Sequence, residues 1–155
     1  MKRSAGILLY RRSPELEVLL VHPGGPFWAK KDSHAWSIPK GEYEDGEDPL
    51  AVARGEFEEE LGNPPPRGEM IELGELAQPS RKLVTAFATE GDFDPAALKS
   101  NRFEMEWPPR SGQMQSFPEV DRAEWFTPDQ AREKILAGQR PFIDRLLERV
   151  EKRAS

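Results

Sequence analysis

Three glutamates, Glu56, Glu59 and Glu60, are the residues of this chain whose type and spacing best suit chemistry. At three- and four-residue spacing they share one side of a helix, where like charges repel one another and weaken the helix. A cation placed between them would remove that repulsion, and hard oxygen donors suit Mg²⁺ or Mn²⁺. The spacing therefore predicts a divalent metal site on the surface of one helix.

Signals at both ends predict the helix that carries these glutamates. Asp48 is a typical N-cap residue, Pro49 follows at the first helical position, and Gly62 provides the C-terminal stop. At about 100° per residue, one face of the helix is apolar and lies well away from the glutamates. Its residues are Leu50, Ala53, Phe57 and Leu61. We expect this apolar face to pack on a sheet and the carboxylates to face a cleft.

The rest of the chain reads as strands and turns, followed by two helices near the C-terminus. Residues 4–11 and 16–22 predict a β-hairpin with its turn at 12–15. Further strands are predicted at 35–38, 69–76, 82–89, 102–107 and 122–126. Loops are predicted at 23–34 and 107–118, and a turn at 39–41. Two helices are predicted at 127–136 and 141–152. This mixed order predicts an α/β or α+β sandwich.

The composition is that of one polar globular domain, which we expect to span residues 1–155. The absence of cysteine excludes thiolate chemistry and fits a cytoplasmic protein. No apolar run approaches the roughly 20 residues that span a bilayer, and the N-terminal segment is too short and too charged for a signal peptide. The net charge of −6 argues against general binding to nucleic acid or to anionic membranes. We expect a monomer or homodimer that captures a small anionic substrate locally.

The segment from Gly41 to Gly62 resembles the signature of the Nudix hydrolases. Seven of its residues match the family at the family's spacing: Gly41, Glu47, Glu56, Phe57, Glu59, Glu60 and Gly62. The order of the flanking strands, and the stretch 119–126 followed by a helix, are also similar to that family. The resemblance implies a Nudix-like α/β/α sandwich with a mixed sheet, a central signature helix and C-terminal helices.

Two positions depart from the Nudix signature. Gly55 stands where the family has arginine, and Asn63 stands where it has an apolar residue. In the family the arginine orients the neighbouring catalytic glutamate and pairs with the glutamate matched by Glu47. Arg54 is adjacent, but one residue is a rotation of about 100° on a helix, so it is a poor substitute. The matched residues therefore support metal binding, whereas these two departures argue against a full catalytic rate.

The resemblance implies hydrolysis of a nucleoside diphosphate linked to another group, by attack of water on a phosphorus atom of the pyrophosphate. A polyphosphate repels a hydroxide nucleophile, so cations must neutralise it and carboxylates must hold those cations and accept a proton. The implied ligands of Mg²⁺ or Mn²⁺ are Glu56, Glu59, Glu60 and the carbonyl of Gly41. The implied general base is Glu56 or a later glutamate.

Glu104 and Glu106 are the later glutamates that we consider for the general base. If residues 102–107 form a strand, alternation places both side chains on the same face. The alternative is that this face is only solvated. His22 and His34 are weaker candidates, because a lone histidine is more often structural.

Lys40 is the predicted phosphate contact. It belongs to the run WSIPKG, which resembles the Nudix members that act on diadenosine polyphosphates and diphosphoinositol polyphosphates. Arg81 and Lys82 are further candidates for substrate binding, although each of the three could be an ordinary solvated cation.

Three hypotheses follow from these observations. The leading one is a metal-dependent pyrophosphohydrolase that acts on dinucleoside polyphosphates or related nucleotides. The second, motivated by Gly55, is a nucleotide- or polyphosphate-binding sensor with weak or no hydrolysis. The third is that the acidic helix face is only a solvated surface.

Overall fold

The computed structural model describes residues 2–12 and 14–154, and its main sheet is built around β1 (Lys2–Arg12). β1 pairs with β2 (Leu16–Pro23) as the predicted antiparallel hairpin. Ser13, which belongs to the predicted turn, lies outside the described residues. The middle of β1 is buried on both sides. This burial explains its uninterrupted apolar run, because a strand covered on both faces has no need of polar alternation.

The other elements extend this sheet and cover it. The remaining strands are β3 (Lys40–Tyr43), β4 (Ile71–Ala77), β5 (Lys82–Glu90), β6 (Arg102–Glu106), β7 (Met114–Pro118) and β8 (Val120–Phe126), and the helices are α1 (Pro49–Leu61), α2 (Pro128–Lys134) and α3 (Pro141–Ala154). In the main sheet the order is β4-β5-β1-β2-β8, with β3 also paired to β1 and with β5 parallel to β1. β6 and β7 form a separate two-stranded antiparallel sheet.

Residues 36–43 occupy the space where β1 and β2 no longer pair. The segment bonds to β2 through Ser37 and to β1 through the carbonyl of Pro39. β3 then pairs antiparallel with the beginning of β1. Lys40 and Gly41, at the start of β3, are therefore fixed in place by the central strand.

Helices cover both faces of the main sheet. On one face, the buried side chains of Ala53, Phe57 and Leu61 join α1 to alternate residues of β1 and β2. On the other face, α2 and α3 pack over a larger core that contains Trp36 and Phe142. This α/β/α sandwich with a mixed sheet confirms the predicted fold class.

α1 has the ends that the sequence predicted. The side chain of Asp48 accepts a hydrogen bond from the nitrogen of Leu50, Pro49 begins the helix, and Gly62 ends it with a φ of 90°. α2 stops at Lys134, two residues short of its predicted end. Among the described residues, no helix is long and apolar enough to cross a membrane.

Parts of the predicted strand order are wrong. The expected strand at 35–38 forms only isolated bridges, and the expected turn at 39–41 does not form because Lys40 and Gly41 belong to β3. Proline lacks a backbone donor but keeps its carbonyl acceptor, and Pro39 uses that carbonyl to bond β1. β7 was not predicted, because its sequence MQSFP lacks an apolar alternation and most of it is exposed.

Candidate active site

The site begins where β3 meets α1, at a close approach between Gly41 and Glu56. A Cβ atom on Gly41 would overlap the carboxyl group of Glu56. Only glycine at this position allows the carboxylate to lie against the backbone of β3. The structure therefore brings together two of the residues that the sequence assigned to a metal site.

Glu60 is the buried member of the three-glutamate group. Only 9% of the residue is exposed, and its Oε2 accepts a hydrogen bond from the backbone nitrogen of Lys40 at 3.2 Å. Burial raises the pKa of Glu60 to about 8, with the charge of Glu56 adding to the shift and that of Lys40 opposing it. Helix periodicity predicted that Glu60 lies on the face of α1 away from its apolar face. In the structure the backbone of β3 covers Glu60.

Glu119 is a fourth carboxylate, which the sequence reasoning did not select. It lies between β7 and β8 and lines the same cavity as Glu60. Burial raises the pKa of Glu119, and the charge of Glu59 raises it further. Burial also raises the pKa of Glu56, followed by the charges of Glu59 and Glu119. Carboxylates from two separate parts of the chain therefore raise the pKa values of Glu56, Glu60 and Glu119.

Asn101 ties Glu119 to the signature helix. The backbone nitrogen of Glu119 donates to the carbonyl of Asn101 at 2.8 Å, and the nitrogen of Asn101 donates to the carbonyl of Glu59 at 2.9 Å. In the sequence Glu119 is only an acidic residue between a proline and an apolar strand, which is common in loops. No local sequence pattern distinguishes Glu119 from other acidic loop residues. Only its tertiary contact with the signature helix identifies it as a candidate site residue.

The chemistry of these carboxylates fits a divalent cation. Burial and mutual repulsion disfavour the charged forms of Glu56, Glu60 and Glu119, and a cation between them would favour those forms. The side chains do not form a complete coordination shell as they stand. In the part of the chain that the structure describes, no group of three or more His, Cys, Asp and Glu side chains is arranged to hold an ion. A cation would be held there only after side-chain rotation, for which the exposed Glu59 has room.

A cavity of about 220 Å³ opens beside these carboxylates. Lys40, Glu60 and Glu119 form its polar wall, and Trp28 contributes to its apolar wall. An adjoining cavity of about 470 Å³ shares Lys40 and Trp28 and adds Lys82. Burial lowers the pKa of Lys40, and the charge of Lys82 contributes, against the opposing effect of Glu60. Lys40 therefore lies next to the carboxylates, and Lys82 lies in the adjoining cavity.

The remaining predicted residues lie outside the smaller cavity. Arg81 is exposed in the turn before β5, where its φ is 61°. Glu104 and Glu106 are exposed on β6, in the separate sheet, and Glu106 accepts a hydrogen bond from the backbone nitrogen of Arg110 at 2.7 Å. The structure does not bring Glu104 together with the signature glutamates, so its catalytic role stays a prediction.

Both histidines make structural contacts. His22 is fully buried, with Nδ1 2.7 Å from the carboxylate of Asp121 and Nε2 2.7 Å from the backbone carbonyl of Lys31. These contacts hold the loop between β2 and β3 against the sheet, and that loop carries Trp28 into the cavity wall. His34 is exposed and contacts a backbone carbonyl of the segment after α2.

Gly55, where the signature has arginine, faces open space. Among the described residues, and apart from its chain neighbours and the backbone of its own helix, no atom lies within 4 Å of the position that a Cβ on Gly55 would occupy. The carboxylate of Glu47 accepts a hydrogen bond from the backbone nitrogen of Glu44 at 2.8 Å, and Arg54 is exposed. Glu47 therefore holds the loop before α1.

Comparisons with known proteins agree with this fold. A model of the NUDIX domain matches residues 1–146. Solved structures with a similar fold include a Caenorhabditis elegans Ap4A hydrolase in a binary complex, with 17% identity, a TM-score of 0.66 and coverage of 96% of this chain and 98% of that one. The NUDIX domain of Shewanella oneidensis NrtR, complexed with ADP ribose, has 15% identity and a TM-score of 0.62, with 96% and 87% covered. A mutT/nudix family protein from Listeria innocua has 14% identity and a TM-score of 0.61, with 98% and 95% covered. No curated protein sequence is significantly similar to this chain.

Proposed function

This chain belongs to the Nudix family and is a pyrophosphohydrolase of the Nudix type. From that premise we propose that it uses Mg²⁺ or Mn²⁺ to cleave nucleoside diphosphate derivatives. The proposed substrates are dinucleoside polyphosphates or related nucleotides. The observation that carries the proposal is the cavity in which Lys40 meets Glu60 and Glu119. A phosphate chain in this cavity would have a lysine on one side and metal-binding carboxylates on the other.

The residues proposed to hold the metal are Glu56, Glu59, Glu60 and the carbonyl of Gly41. A divalent cation bound there supplies neutralisation of the phosphate charge and a more acidic water. Gly41 allows Glu56 to reach this position because it lacks a side chain. The backbone nitrogen of Lys40 orients Glu60 by donating to its carboxylate.

We propose Glu56 or Glu119 as the group that takes the proton from the attacking water. Both have a pKa that is raised by burial and by neighbouring carboxylates. A carboxylate of higher pKa is a stronger base while it remains ionised. Glu104, the candidate from sequence, is a third possibility that requires β6 to approach the cavity.

Lys40 and Lys82 are the proposed phosphate contacts, because they line one continuous pair of cavities. Arg81, in the turn before β5, is proposed to reach the outer end of a longer phosphate chain. We further propose a cytoplasmic monomer or homodimer that acts on small molecules and not on nucleic acid, since its net charge is −6.

A substrate panel with and without metal tests the proposed activity. We expect Ap4A, ADP-ribose or a nucleoside triphosphate to be cleaved in Mg²⁺ or Mn²⁺ and not in EDTA. Glu59→Gln and Glu60→Gln should each lower kcat by roughly 100-fold or more, because each removes a charged ligand. Glu72→Gln, an exposed glutamate of β4, is the control and should keep the wild-type rate. Full activity in EDTA, or in both site variants, would rule out the proposed mechanism.

Gly55 favours a second candidate, a sensor that binds its nucleotide and turns it over slowly. The exposed helix position has no side chain that could orient Glu56. Calorimetric binding of a nucleotide that stays uncleaved after long incubation with metal would favour the sensor. Rapid release of nucleotide products would favour the hydrolase.

A further inference from the structure

Gln139 is a buried side chain that is none of the proposed metal ligands or phosphate contacts. It ends a short 3₁₀ helix (Ala137–Gln139) between α2 and α3, and only 1% of the residue is exposed. A buried amide is costly unless its hydrogen-bonding groups find partners. The partners of Gln139 lie 101 and 102 residues away along the chain, so its side chain joins two distant segments.

The side chain of Gln139 binds both backbone polar groups of Ile38. Its Oε1 accepts a hydrogen bond from the backbone nitrogen of Ile38 at 3.1 Å. Its Nε2 donates to Oγ of Ser37 at 3.0 Å, and that hydroxyl donates to the carbonyl of Ile38 at 2.7 Å. Ile38 is buried and lies outside the strands. Because no strand ladder satisfies its amide, the bond from Gln139 avoids an unpaired buried donor.

Ile38 lies two residues before Lys40, and the backbone between them is held firmly. Pro39 has a fixed φ angle, and its carbonyl accepts a hydrogen bond from β1. A Cβ atom on Gly6 would overlap that carbonyl, so the segment lies directly on β1. The nitrogen of Lys40 then donates to Glu60. Since β1 fixes this segment at Pro39 and Gln139 fixes it at Ile38, a shift of Ile38 moves the amide that orients Glu60.

Gln139 is itself held in a fixed position. Its backbone nitrogen donates to the carbonyl of Leu136 at 2.9 Å, and the nitrogen of Leu136 donates to the carbonyl of Trp36 at 2.8 Å. The side chain of Gln78 donates to the carbonyl of Gly138 at 2.8 Å. The amide of Gln139 is therefore oriented by the fold, as a group that positions its neighbours must be.

We propose that Gln139 is a positioning residue for the hydrolysis. By holding Ile38, it keeps the backbone amide of Lys40 on the carboxylate of Glu60 and thereby orients this proposed metal ligand. In this role Gln139 touches neither the metal nor the phosphate. The inference rests on the proposed function, because it names a group that supports the metal site of that reaction. Partners that orient metal ligands change metal affinity by about 10–100-fold when they are removed.

Gln139→Met tests the proposal, because it keeps the length of the side chain and removes both hydrogen-bonding groups. Amide hydrogen exchange in EDTA, followed by NMR, gives the rate of Lys40 divided by that of Leu8 in the central strand. We expect this ratio to rise about tenfold, because Lys40 loosens locally while Leu8 exchanges only when the sheet opens. Leu73→Ala, at a buried position of the outermost strand β4, is the control for lost stability alone and should not raise the ratio.

Two further variants separate the hydrogen bond from the bulk of the side chain. Gln139→Glu keeps an oxygen that accepts from Ile38 in either protonation state, so its exchange ratio should return close to that of wild type. Ser37→Ala removes only the hydroxyl between Gln139 and the carbonyl of Ile38. It should raise the ratio by a smaller factor, and it tests the proposal if Gln139→Met does not fold.

Calorimetric titration with Mn²⁺ measures the consequence for the metal site. Gln139→Met should bind Mn²⁺ about tenfold more weakly than wild type, whereas Leu73→Ala should keep the wild-type affinity. An unchanged exchange ratio or an unchanged Mn²⁺ affinity in Gln139→Met would overturn the inference and leave the proposed function standing. If wild type shows no saturable Mn²⁺ binding, the proposed metal-dependent hydrolysis fails, and the exchange ratio still decides whether Gln139 positions the amide of Lys40.

Discussion

At the scale of single residues, the burial of Glu60 is the most demanding feature of the site. A carboxylate that is largely removed from water must be neutral, paired or bound to a metal. Lys40 lies beside it and partly offsets the cost, but the pKa of Glu60 is still raised to about 8. Burial therefore favours the protonated form of Glu60, and a bound cation would favour its charged form.

This raised pKa predicts how stability depends on pH. Between the ordinary pKa of 4.5 and about 8, folded Glu60 keeps a proton that the unfolded chain has lost. The free energy of unfolding should therefore fall as pH rises through this window. Glu60→Gln should flatten that fall and be more stable than wild type above pH 8, by about 1–3 kcal/mol.

Urea denaturation in EDTA at several pH values measures this effect. Glu58→Gln, an exposed neighbour on the same helix, should leave the wild-type slope in place. Identical slopes for wild type and Glu60→Gln would contradict the prediction. Addition of Mg²⁺ should stabilise wild type most at high pH, because metal binding requires the ionised carboxylate.

Glu119 provides a second prediction at this scale. If it accepts the proton or binds the metal, Glu119→Gln should lower kcat by about 100-fold or more. Its thermal midpoint should not fall, because the change removes a repelling charge and keeps the backbone bond to Asn101. Glu104→Gln is the comparison, since Glu104 lies in the separate sheet. A rate that falls in Glu104→Gln and not in Glu119→Gln would reverse the assignment.

At the scale of elements, the contact between β3 and α1 assembles the site. β3 is held by β1, and α1 docks through Phe57 and Leu61 on the same sheet. The two elements then approach so closely that the carboxyl group of Glu56 lies where a Cβ atom on Gly41 would be. The separation of a strand and a helix therefore sets the position of the carboxylate of Glu56, which we propose to bind the metal.

Gly41→Ala tests this arrangement. Its methyl group would overlap the carboxyl group of Glu56, so that side chain must move, and the loss of stability should stay below the roughly 3 kcal/mol at the upper end for overpacking in a core. A displacement of the carboxylate by about 1 Å should also lower kcat by roughly 100-fold. Urea denaturation and steady-state kinetics measure the two effects.

Gly55→Ala is the matched control for stability, because no described residue beyond its own helix lies within 4 Å of its Cβ position. The same chemical change should there stabilise the protein by about 1 kcal/mol through helix propensity. Equal effects on stability at the two positions would show that the contact between Gly41 and Glu56 is not restrictive.

At the scale of the whole molecule, the main sheet separates two hydrophobic cores with different structural roles. The core under α1 supports the signature helix, whereas the larger core under α2 and α3 contains Trp36 and Phe142. Residues of β1 contribute alternately to both cores, so the central strand links them. Global stability therefore depends on a core that lies across the sheet from the signature helix.

Phe142→Ala separates stability from catalysis. Phe142 is fully buried, and truncation of a buried phenylalanine costs about 3–5 kcal/mol. The thermal midpoint should fall by about 6–20 °C for a domain of this size, while kcat well below the transition should stay within about twofold of wild type. Arg149→Ala, at an exposed position of α3, should change neither. A large loss of kcat in folded Phe142→Ala would show that the two cores are coupled.

The sequence by itself determined the elements whose signals are local. The ends of α1 follow from Asp48, Pro49 and Gly62, whose effects act within a few residues. The hairpin of β1 and β2 follows from two apolar runs and a turn. The position of β3 was not predictable in this way, because it depends on the space between β1 and β2.

Only the tertiary structure decided how the candidate site is completed. It buried Glu60 under the backbone of Lys40, although the two are 20 residues apart in the chain. It also brought Glu119 to the signature helix and Lys82 to Lys40. The physical reason is that burial and electrostatic interactions depend on distance in space, whereas capping and periodicity depend on distance along the chain.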